Sequence, residues 1–315
     1  MRVVSGAATF FREQDGHQSS AEQMMSDMEL FTTANGITVH VWDTKDEKIP
    51  GQARNDSEHV TPASDGVQPC LVLLHGYLET MYIFNELIDA LKTHFRMITL
   101  DMPGHGLTDY APAGPDGERV NTLSFCAAVV AGVLDKCGVE KAVLAGHSMG
   151  GYVMLQFLRD YPERVERAIL LHSHPYPDSP QKIADRGKEK QLVAAGKLLA
   201  IADMSIPNMY DPENLRACDE KIRETVELCE THDPEGIIAS IEGLRRRDDL
   251  SDVLAQPPVP LLLIHGDHDA FLPMERVEEM KQRFPKVQYA LIPNSGHNSF
   301  IEQTAACVEA IERFA

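Results

Sequence analysis

The sequence of 315 residues lacks three features, each of which would indicate a distinct class of protein. It has no apolar run near the ~20 residues that a membrane-spanning helix needs, and the run at residues 125–134 predicts a buried helix instead. Its six cysteines form no C-x-x-C pair or compact cluster, which favours free thiols over a disulfide framework or a zinc site. It has no basic stripe, and its 29 Lys and Arg against 48 Asp and Glu give a formal net charge of -19, which makes a nucleic-acid partner unexpected.

The composition that is present is typical of an ordinary globular protein, with 43% hydrophobic and 24% charged residues. The length suits one large domain with a substantial insertion, or two modest domains. Glu13 and Asp15 follow the first apolar run too closely for a signal or transit peptide, so the expected location is cytoplasmic.

Three stretches at the beginning of the chain differ in pattern. Residues 1–27 are polar and aperiodic, which predicts an N-terminal extension. Residues 28–44 contain two alternating apolar runs around Asn35 and Gly36, a pair typical of a β-hairpin turn. Residues 45–66 are charged and rich in turn formers, which predicts a loop.

Six short apolar runs follow, and helix-length segments separate most of them. Such runs are typical of strands buried on both faces of a parallel sheet. Their alternation with helical segments predicts an α/β fold with a mostly parallel central sheet flanked by helices. The runs are CLVLLHG, FRMITLD, KAVLAGHS, RAILLHS, VPLLLIHG and VQYALIP.

One gap between these runs is much longer than the others and contains no strand-like run. Its helical periodicity predicts an all-helical cap inserted at the upper edge of the sheet. The predicted organisation is therefore a core formed by residues 28–171 and 251–315, with a helical cap formed by residues 172–250.

The segment AGHSMGGYVML places Ser148 between Gly146 and Gly150, after a predicted strand and before a helical pattern. The pattern G-x-S-x-G is typical of a sharp strand-to-helix turn, where a Cβ at either glycine would clash across the bend. Such a turn presents the serine hydroxyl at the carboxyl edge of the sheet, where open α/β folds bind ligands. Ser148 is therefore a candidate nucleophile, and the alternative interpretation is a helix N-cap.

A nucleophilic serine needs a general base and an acid that orients the base. His297 lies in the turn after the last strand, from which a loop residue can reach back over the sheet. His147 adjoins the serine at a sharp turn and is expected to be structural. The acid is expected after the preceding strand, where HGDHDAFLP offers both Asp267 and Asp269. The histidines that follow predicted strands are His75, His147, His172, His174, His265, His268 and His297.

An oxyanion hole needs two backbone N–H groups directed at the developing negative charge. Met149 N–H lies at the start of the helix after the serine, where the helix dipole favours an anion. Tyr77 N–H, in the exit loop of the first parallel strand, is the expected second donor. The surface near the nucleophile is expected to be apolar and without a cation, which predicts a neutral substrate. The alternative is that Lys182 or Arg186, on the first predicted cap helix, supplies a positive charge. The residues expected to line the pocket are His75, Gly76, His147, Phe271 and Leu272.

Two other clusters are weaker candidates for function. The histidines of HSH, residues 172–174, and of HGDH have no acidic or thiol residues at the spacing that completes a metal site, so no metal is predicted. The run Arg245-Arg246-Arg247 is interpreted as a solvated helix end.

Six segments of the chain resemble those of the α/β-hydrolase superfamily in type and order. They are HGY, DMPGHG, GHSMGG, YPERV, HGDHDAFLP and SGH, and they fall between residues 70 and 315. The resemblance implies Ser148 as nucleophile, His297 as base and Asp269 as acid in a G-x-x-D-x-x-x-P spacing, with Asp267 as a turn residue. A serine at the nucleophile position disfavours the dehalogenases and many epoxide hydrolases, which use aspartate.

The resemblance implies a serine hydrolase with a cap, most simply a carboxylic-ester hydrolase that acts on a small to medium neutral ester through an acyl-enzyme. The expected partner is a small-molecule substrate, and no cofactor is required. Alternatives on the same triad are a thioesterase, a peptidase, a carbon-carbon bond hydrolase and a lyase. A ligand receptor that keeps the fold is an alternative from another class.

Overall fold

The computed structural model describes residues 29–46 and 68–315. The predicted N-terminal extension, residues 1–27, and most of the predicted loop over residues 45–66 lie outside the described residues. Within the described residues, every helix is too short or too polar to cross a bilayer.

One sheet holds all the strands of the part that the structure describes. The strands are β1 (Glu29–Ala34), β2 (Ile37–Asp43), β3 (Cys70–Leu74), β4 (Arg96–Leu100), β5 (Ala142–His147), β6 (Val165–Leu171), β7 (Leu261–Gly266) and β8 (Gln288–Ile292). Their order across the sheet is β1-β2-β4-β3-β5-β6-β7-β8. The six apolar runs of the sequence all form strands, as predicted.

Strand direction divides the sheet into an antiparallel hairpin and a parallel remainder. β1 and β2 pair antiparallel, and β2 pairs antiparallel with β4. Asn35 and Gly36 connect the hairpin with φ angles of 47° and 82°, the left-handed conformation that a tight two-residue turn needs. The six strands β3 to β8 are parallel to one another, so their carboxyl ends meet at one edge of the sheet. The predicted hairpin and the predicted mostly parallel sheet are confirmed.

Helices cover both faces of the sheet and fill the long gap after β6. Between β6 and β7 the described chain forms α4 to α8 and no strand. The exact extent of a separate cap, residues 172–250, remains a prediction. The helices are α1 (Asn85–Leu91), α2 (Leu123–Lys136), α3 (Met149–Asp160), α4 (Pro180–Ala194), α5 (Leu198–Ser205), α6 (Asp219–Leu228), α7 (Pro234–Arg245), α8 (Ser251–Ala255), α9 (Met274–Arg283), α10 (Ser299–Glu302) and α11 (Thr304–Phe314).

The core consists of one apolar layer on each face of the sheet, because successive strand side chains point to opposite faces. In β3, Val72 and Leu74 pack into the layer that includes α2 and α3. Leu71 and Leu73 pack into the layer that includes α1 and α11. A third cluster joins α5, α6 and α7 and reaches Leu78 in the loop after β3. The six cysteines are buried free thiols, as predicted.

Asp101 fixes the loop that follows β4. Its Oδ1 accepts a hydrogen bond from Met81 N at 2.9 Å, and its Oδ2 accepts one from Leu107 N at 3.1 Å. Oδ2 also lies 2.8 Å from Nδ1 of the buried His40. Burial alone would lower the pKa of His40, but hydrogen bonds and charges from Asp101 and Glu29 raise this pKa to about 9.

We expect the free energy of unfolding to fall between pH 6.5 and pH 9 because of His40. The folded state binds the imidazole proton more tightly than the unfolded chain does, so this stabilisation is complete below pH 6.5 and is lost as the pH rises through about 9. The shift in pKa corresponds to a stabilisation of about 3 kcal/mol. Urea unfolding of the native protein and of His40→Gln, measured across this range, checks the expectation. Parallel pH dependences in the two proteins would contradict it.

Candidate active site

Ser148 occupies a strained turn between β5 and α3. Its φ and ψ are 48° and -111°, and its N–H donates to Leu171 O at 2.9 Å. A Cβ at Gly146 would lie 2.4 Å from Gly150 O, and a Cβ at Gly150 would lie 2.1 Å from Leu74 O. The two glycines are therefore required by the tight approach of strand and helix, and the turn holds Ser148 at the carboxyl edge of the sheet.

A cavity of about 950 Å³ opens at this edge, beneath the helices that follow β6. Ser148 and His297 both line it, and so do Tyr77 and Met149, the predicted oxyanion donors. Asp269 is buried and lies behind His297. The structure thus brings the predicted nucleophile, base, acid and oxyanion donors to one place.

The predicted pocket-lining residues divide into two groups. Gly76, His147 and Phe271 line the cavity, whereas His75 and Leu272 do not, contrary to the prediction. His75 is held within its loop, because Nδ1 lies 2.7 Å from Gly76 O and Nε2 accepts from the backbone of Met102 at 2.8 Å. Leu272 is buried in the apolar core.

His297 is oriented by Asp269. The ring Nδ1 lies 3.0 Å from Oδ1 and 2.8 Å from Oδ2 of this carboxylate. Burial would raise the pKa of Asp269, but the charge of His297 and hydrogen bonds from His297 and His172 hold this pKa well below its usual range. An ionised Asp269 keeps the imidazole proton on Nδ1, which leaves Nε2 as a proton acceptor. Within the described chain, Ser148 Oγ makes no hydrogen bond.

Asp269 is shared by a second imidazole, which the sequence analysis did not anticipate in this role. His172 Nδ1 lies 2.9 Å from Asp269 Oδ2, and its Nε2 lies 2.7 Å from Ser299 Oγ. Burial lowers the pKa of His172 to about 4, so this ring is neutral near pH 7. It therefore donates from Nδ1 to the carboxylate and accepts from the Ser299 hydroxyl at Nε2. Cys307 Sγ lies 3.1 Å from Ser299 Oγ and completes the chain.

His172, Asp269 and His297 are the group of side chains in the described residues whose spacing would allow them to hold a metal ion. One ligand atom each of His172, Asp269 and His297 lies within 4.8 Å of the others. Both histidines, however, direct Nδ1 at the carboxylate. A metal between them would have to displace both protons. Hydrogen bonding accounts for the cluster without a metal.

A second buried chain of polar groups links the loop after β3 to the backbone of His297. Glu79 Oε2 accepts from Gly76 N at 2.6 Å and lies 2.9 Å from His147 Nδ1. His147 Nε2 lies 3.0 Å from His297 O. Burial would raise the pKa of Glu79, but its contact with His147 and other neighbours lowers it. Both ring nitrogens of His147 thus have partners, which agrees with the structural role expected for it, and the residue connects the loop after β3 to the backbone of the candidate base.

Tyr77 and Met149 offer two N–H groups at the cavity. Met149 is the first residue of α3, and neither backbone N–H donates to another residue of the described chain. Both residues line the cavity beside Ser148. The helix dipole favours a negative charge at this end of α3. The arrangement can therefore receive an oxyanion next to the serine.

The charge of the cavity wall differs from the prediction. Arg247 was expected at a solvated helix end, but it is only 8% exposed and lines the cavity, as does Arg186. Arg246 is half exposed, as expected for that end. Arg247 is buried because α7 ends at Arg245 and the chain after it turns the Arg247 side chain toward the cavity. The expectation of a wall without a cation is therefore wrong, and Lys182 and Arg186, which the alternative named as sources of positive charge, both line the cavity.

The sequence matches the protein family described as alpha/beta hydrolase fold over residues 69–193 and 213–304, which together exceed half of the chain. The chain belongs to this family.

Individual relatives agree with that assignment. The chain is 28% identical to the pimeloyl-acyl-carrier-protein methyl ester esterase of Aeromonas hydrophila over 79% of this chain and 96% of that protein. It superposes with a TM-score of 0.77 on a thermophilic esterase from Thermogutta terrifontis with malate bound, at 28% identity over 90% of this chain and 97% of that one. An enol-lactonase from Burkholderia xenovorans, at 23% identity and a TM-score of 0.75 over 90% of this chain and 99% of that one, shares the fold.

Proposed function

We propose that the protein is a serine hydrolase of carboxylic esters that works through an acyl-enzyme. The observation that carries this proposal is the shared cavity of Ser148, on its strained turn, and His297, bound through Nδ1 to a buried Asp269. The esterases among the relatives favour an ester over the thioesters, amides and carbon-carbon bonds that the same residues could attack.

In the first half of the reaction, Ser148 Oγ attacks the ester carbonyl carbon. His297 Nε2 accepts the hydroxyl proton, and ionised Asp269 stabilises the imidazolium that results. The carbonyl oxygen becomes an oxyanion and receives hydrogen bonds from Tyr77 N–H and Met149 N–H. The carbon-oxygen bond to the alcohol then breaks, and the leaving oxygen takes the proton from Nε2.

In the second half, water attacks the acyl carbon of the Ser148 ester. His297 Nε2 accepts a proton from this water and returns it to Ser148 Oγ as the acyl-oxygen bond breaks. The carboxylic acid is released and the resting serine is restored. The steps balance without a cofactor, since water is the only co-reactant.

The two buried polar chains have positioning roles in this proposal. Asp269 orients the base, while His172 donates to Oδ2, the same carboxylate oxygen that His297 contacts at 2.8 Å. His147 restrains the backbone of His297 and, through Glu79, the loop that carries Tyr77 N–H. Base and oxyanion donors are thus held relative to each other before substrate binds, which is what preorganised catalysis requires.

Active-site titration tests the proposed function. We expect the protein to hydrolyse p-nitrophenyl butyrate and to lose this activity irreversibly in proportion to added fluorophosphonate, reaching zero near one equivalent per chain. Heat-denatured protein should neither turn over the ester nor take up the reagent. Undiminished hydrolysis after full uptake of the reagent would contradict a serine mechanism, and a folded protein without hydrolysis of any ester would favour the receptor alternative.

A further inference from the structure

Two arginine side chains share one aspartate in the cavity wall. Arg186 Nε lies 2.5 Å from Asp178 Oδ2, and Arg247 Nη1 lies 2.6 Å from Asp178 Oδ1. All three side chains are at least nine-tenths buried and all three residues line the cavity. The group of Arg186, Asp178 and Arg247, which we call the arginine bridge, therefore carries one uncompensated positive charge.

The arginine bridge lies against the residues around the nucleophile. The guanidinium carbon of Arg247 is 4.2 Å from the ring centre of Tyr152, which follows Ser148 by one turn of α3. The guanidinium carbon of Arg186 is 5.9 Å from the ring centre of Tyr77, the proposed oxyanion donor. The positive charge is thus within the length of a small substrate from the proposed reaction centre.

Hydrogen-bonding capacity remains on these guanidinium groups. Arg247 donates from Nε to Tyr176 O at 3.2 Å and from Nη1 to Leu244 O at 3.3 Å, which leaves its Nη2 without a partner in the described chain. Arg186 bonds to the aspartate through Nε alone. Three terminal nitrogens of the two side chains can therefore still donate. A planar fork of this kind can bind a carboxylate through two parallel hydrogen bonds.

Within the described residues, no acidic residue of the cavity wall other than Asp178 forms an ion pair with Arg186 or Arg247. Asp185 pairs with Lys188, and Glu279 pairs with Arg276. Glu189, one turn after Arg186 on α4, forms no ion pair with either arginine of the bridge in the described structure. The bridge is therefore the site in the wall where a bound anion gains partners that are already desolvated.

We propose that the arginine bridge binds a carboxylate of the substrate, so that the preferred substrates are esters that also carry an ionised carboxyl group. This inference rests on the proposed function in that the ester group is taken to lie at Ser148. It reverses the neutral-substrate prediction and develops the alternative in which Lys182 or Arg186 supplies a positive charge. A neutral ester would leave the charge of the bridge without a counter-ion, whereas a carboxylate compensates it.

A binding measurement on Ser148→Ala separates recognition from chemistry. The probes are monomethyl succinate, which carries an ester and a carboxylate, and dimethyl succinate, in which the carboxylate is blocked. By isothermal titration calorimetry, we expect the monomethyl ester to bind at least ~10-fold more tightly. When Arg247→Gln is added to the Ser148→Ala protein, the ratio of the two affinities should fall to near one. If that double variant does not fold, Arg186→Gln takes its place and should give the same result. Arg245→Gln, adjacent but outside the cavity lining, should keep the ratio.

The outcomes distinguish this inference from the proposed function. Equal or weaker binding of monomethyl succinate, or a preference that survives both bridge variants, overturns the carboxylate site and leaves the serine mechanism untouched. Kinetics should show the same selectivity. In the native enzyme we expect a higher kcat/KM for the p-nitrophenyl hemisuccinate ester than for the p-nitrophenyl butyrate ester, and we expect Arg247→Gln to abolish this difference. Carboxylate-selective binding without hydrolysis of either ester would overturn the proposed function alone.

Discussion

Ser148→Ala is expected to lower kcat for p-nitrophenyl butyrate on the order of 10⁵- to 10⁶-fold, as loss of the nucleophile does in a serine triad. Alanine has the same Cβ, so it adopts the backbone at φ 48° at a cost similar to that of serine. Because Ser148 Oγ has no hydrogen-bond partner in the described chain, the free energy of unfolding should change by less than about 1 kcal/mol. Kinetics and urea unfolding of the same preparation check both expectations.

Ser205→Ala is the matched control for this variant. Ser205 also lines the cavity, but it lies at the end of α5 and has no part in the proposed triad. Its removal should leave kcat within a factor of about three. Equal losses in the two variants, or near-native turnover in a folded Ser148→Ala protein, would contradict the assignment of the nucleophile.

Asp269→Asn is expected to lower kcat by a factor on the order of 10⁴, while Asp267→Asn should leave kcat nearly unchanged. The Asp269 carboxylate contacts Nδ1 of both His297 and His172, and an amide would present a donor where an acceptor is needed. His297 would then favour the tautomer with a protonated Nε2, which cannot accept the serine proton. Asp267 instead accepts from Ser295 N at 3.2 Å and only ties two loops together.

The measurement is kcat over a range of pH for both variants, with thermal unfolding as the test of folding. Asp269 also accepts the backbone N–H groups of Phe271 and Leu272 at 2.8 and 2.9 Å through Oδ1, which an asparagine oxygen can still accept. We therefore expect the Asp269→Asn protein to fold. A greater loss of kcat in Asp267→Asn would show that the other carboxylate of this turn is the acid.

The strands and the three residues of the candidate triad could be predicted because each has a local sequence pattern. Each buried strand has its own apolar run, and the turn at Ser148 follows from two glycines within two residues of it. His297 and Asp269 could be placed because both follow strands of one parallel sheet, whose carboxyl ends necessarily share an edge. These inferences need only the order of elements along the chain.

The features that the sequence analysis missed depend on contacts between distant segments. His172 lies 97 residues from Asp269 and Glu79 lies 68 residues from His147, so neither pair has a local pattern. The charge of the wall depended on where one side chain points: Arg247 turns inward to Asp178, whereas Arg246 beside it remains half exposed. Pairing of this kind is set by tertiary packing rather than by the local charge run.

The central claim is that Ser148 forms the covalent intermediate, and peptide mass spectrometry after reaction with a fluorophosphonate tests it most directly. The account predicts one adduct per chain, located on the peptide that contains Ser148, with its formation slowed strongly in Asp269→Asn and unchanged in Ser205→Ala. An adduct on another residue, or unmodified Ser148 in protein that the reagent has fully inactivated, would contradict it.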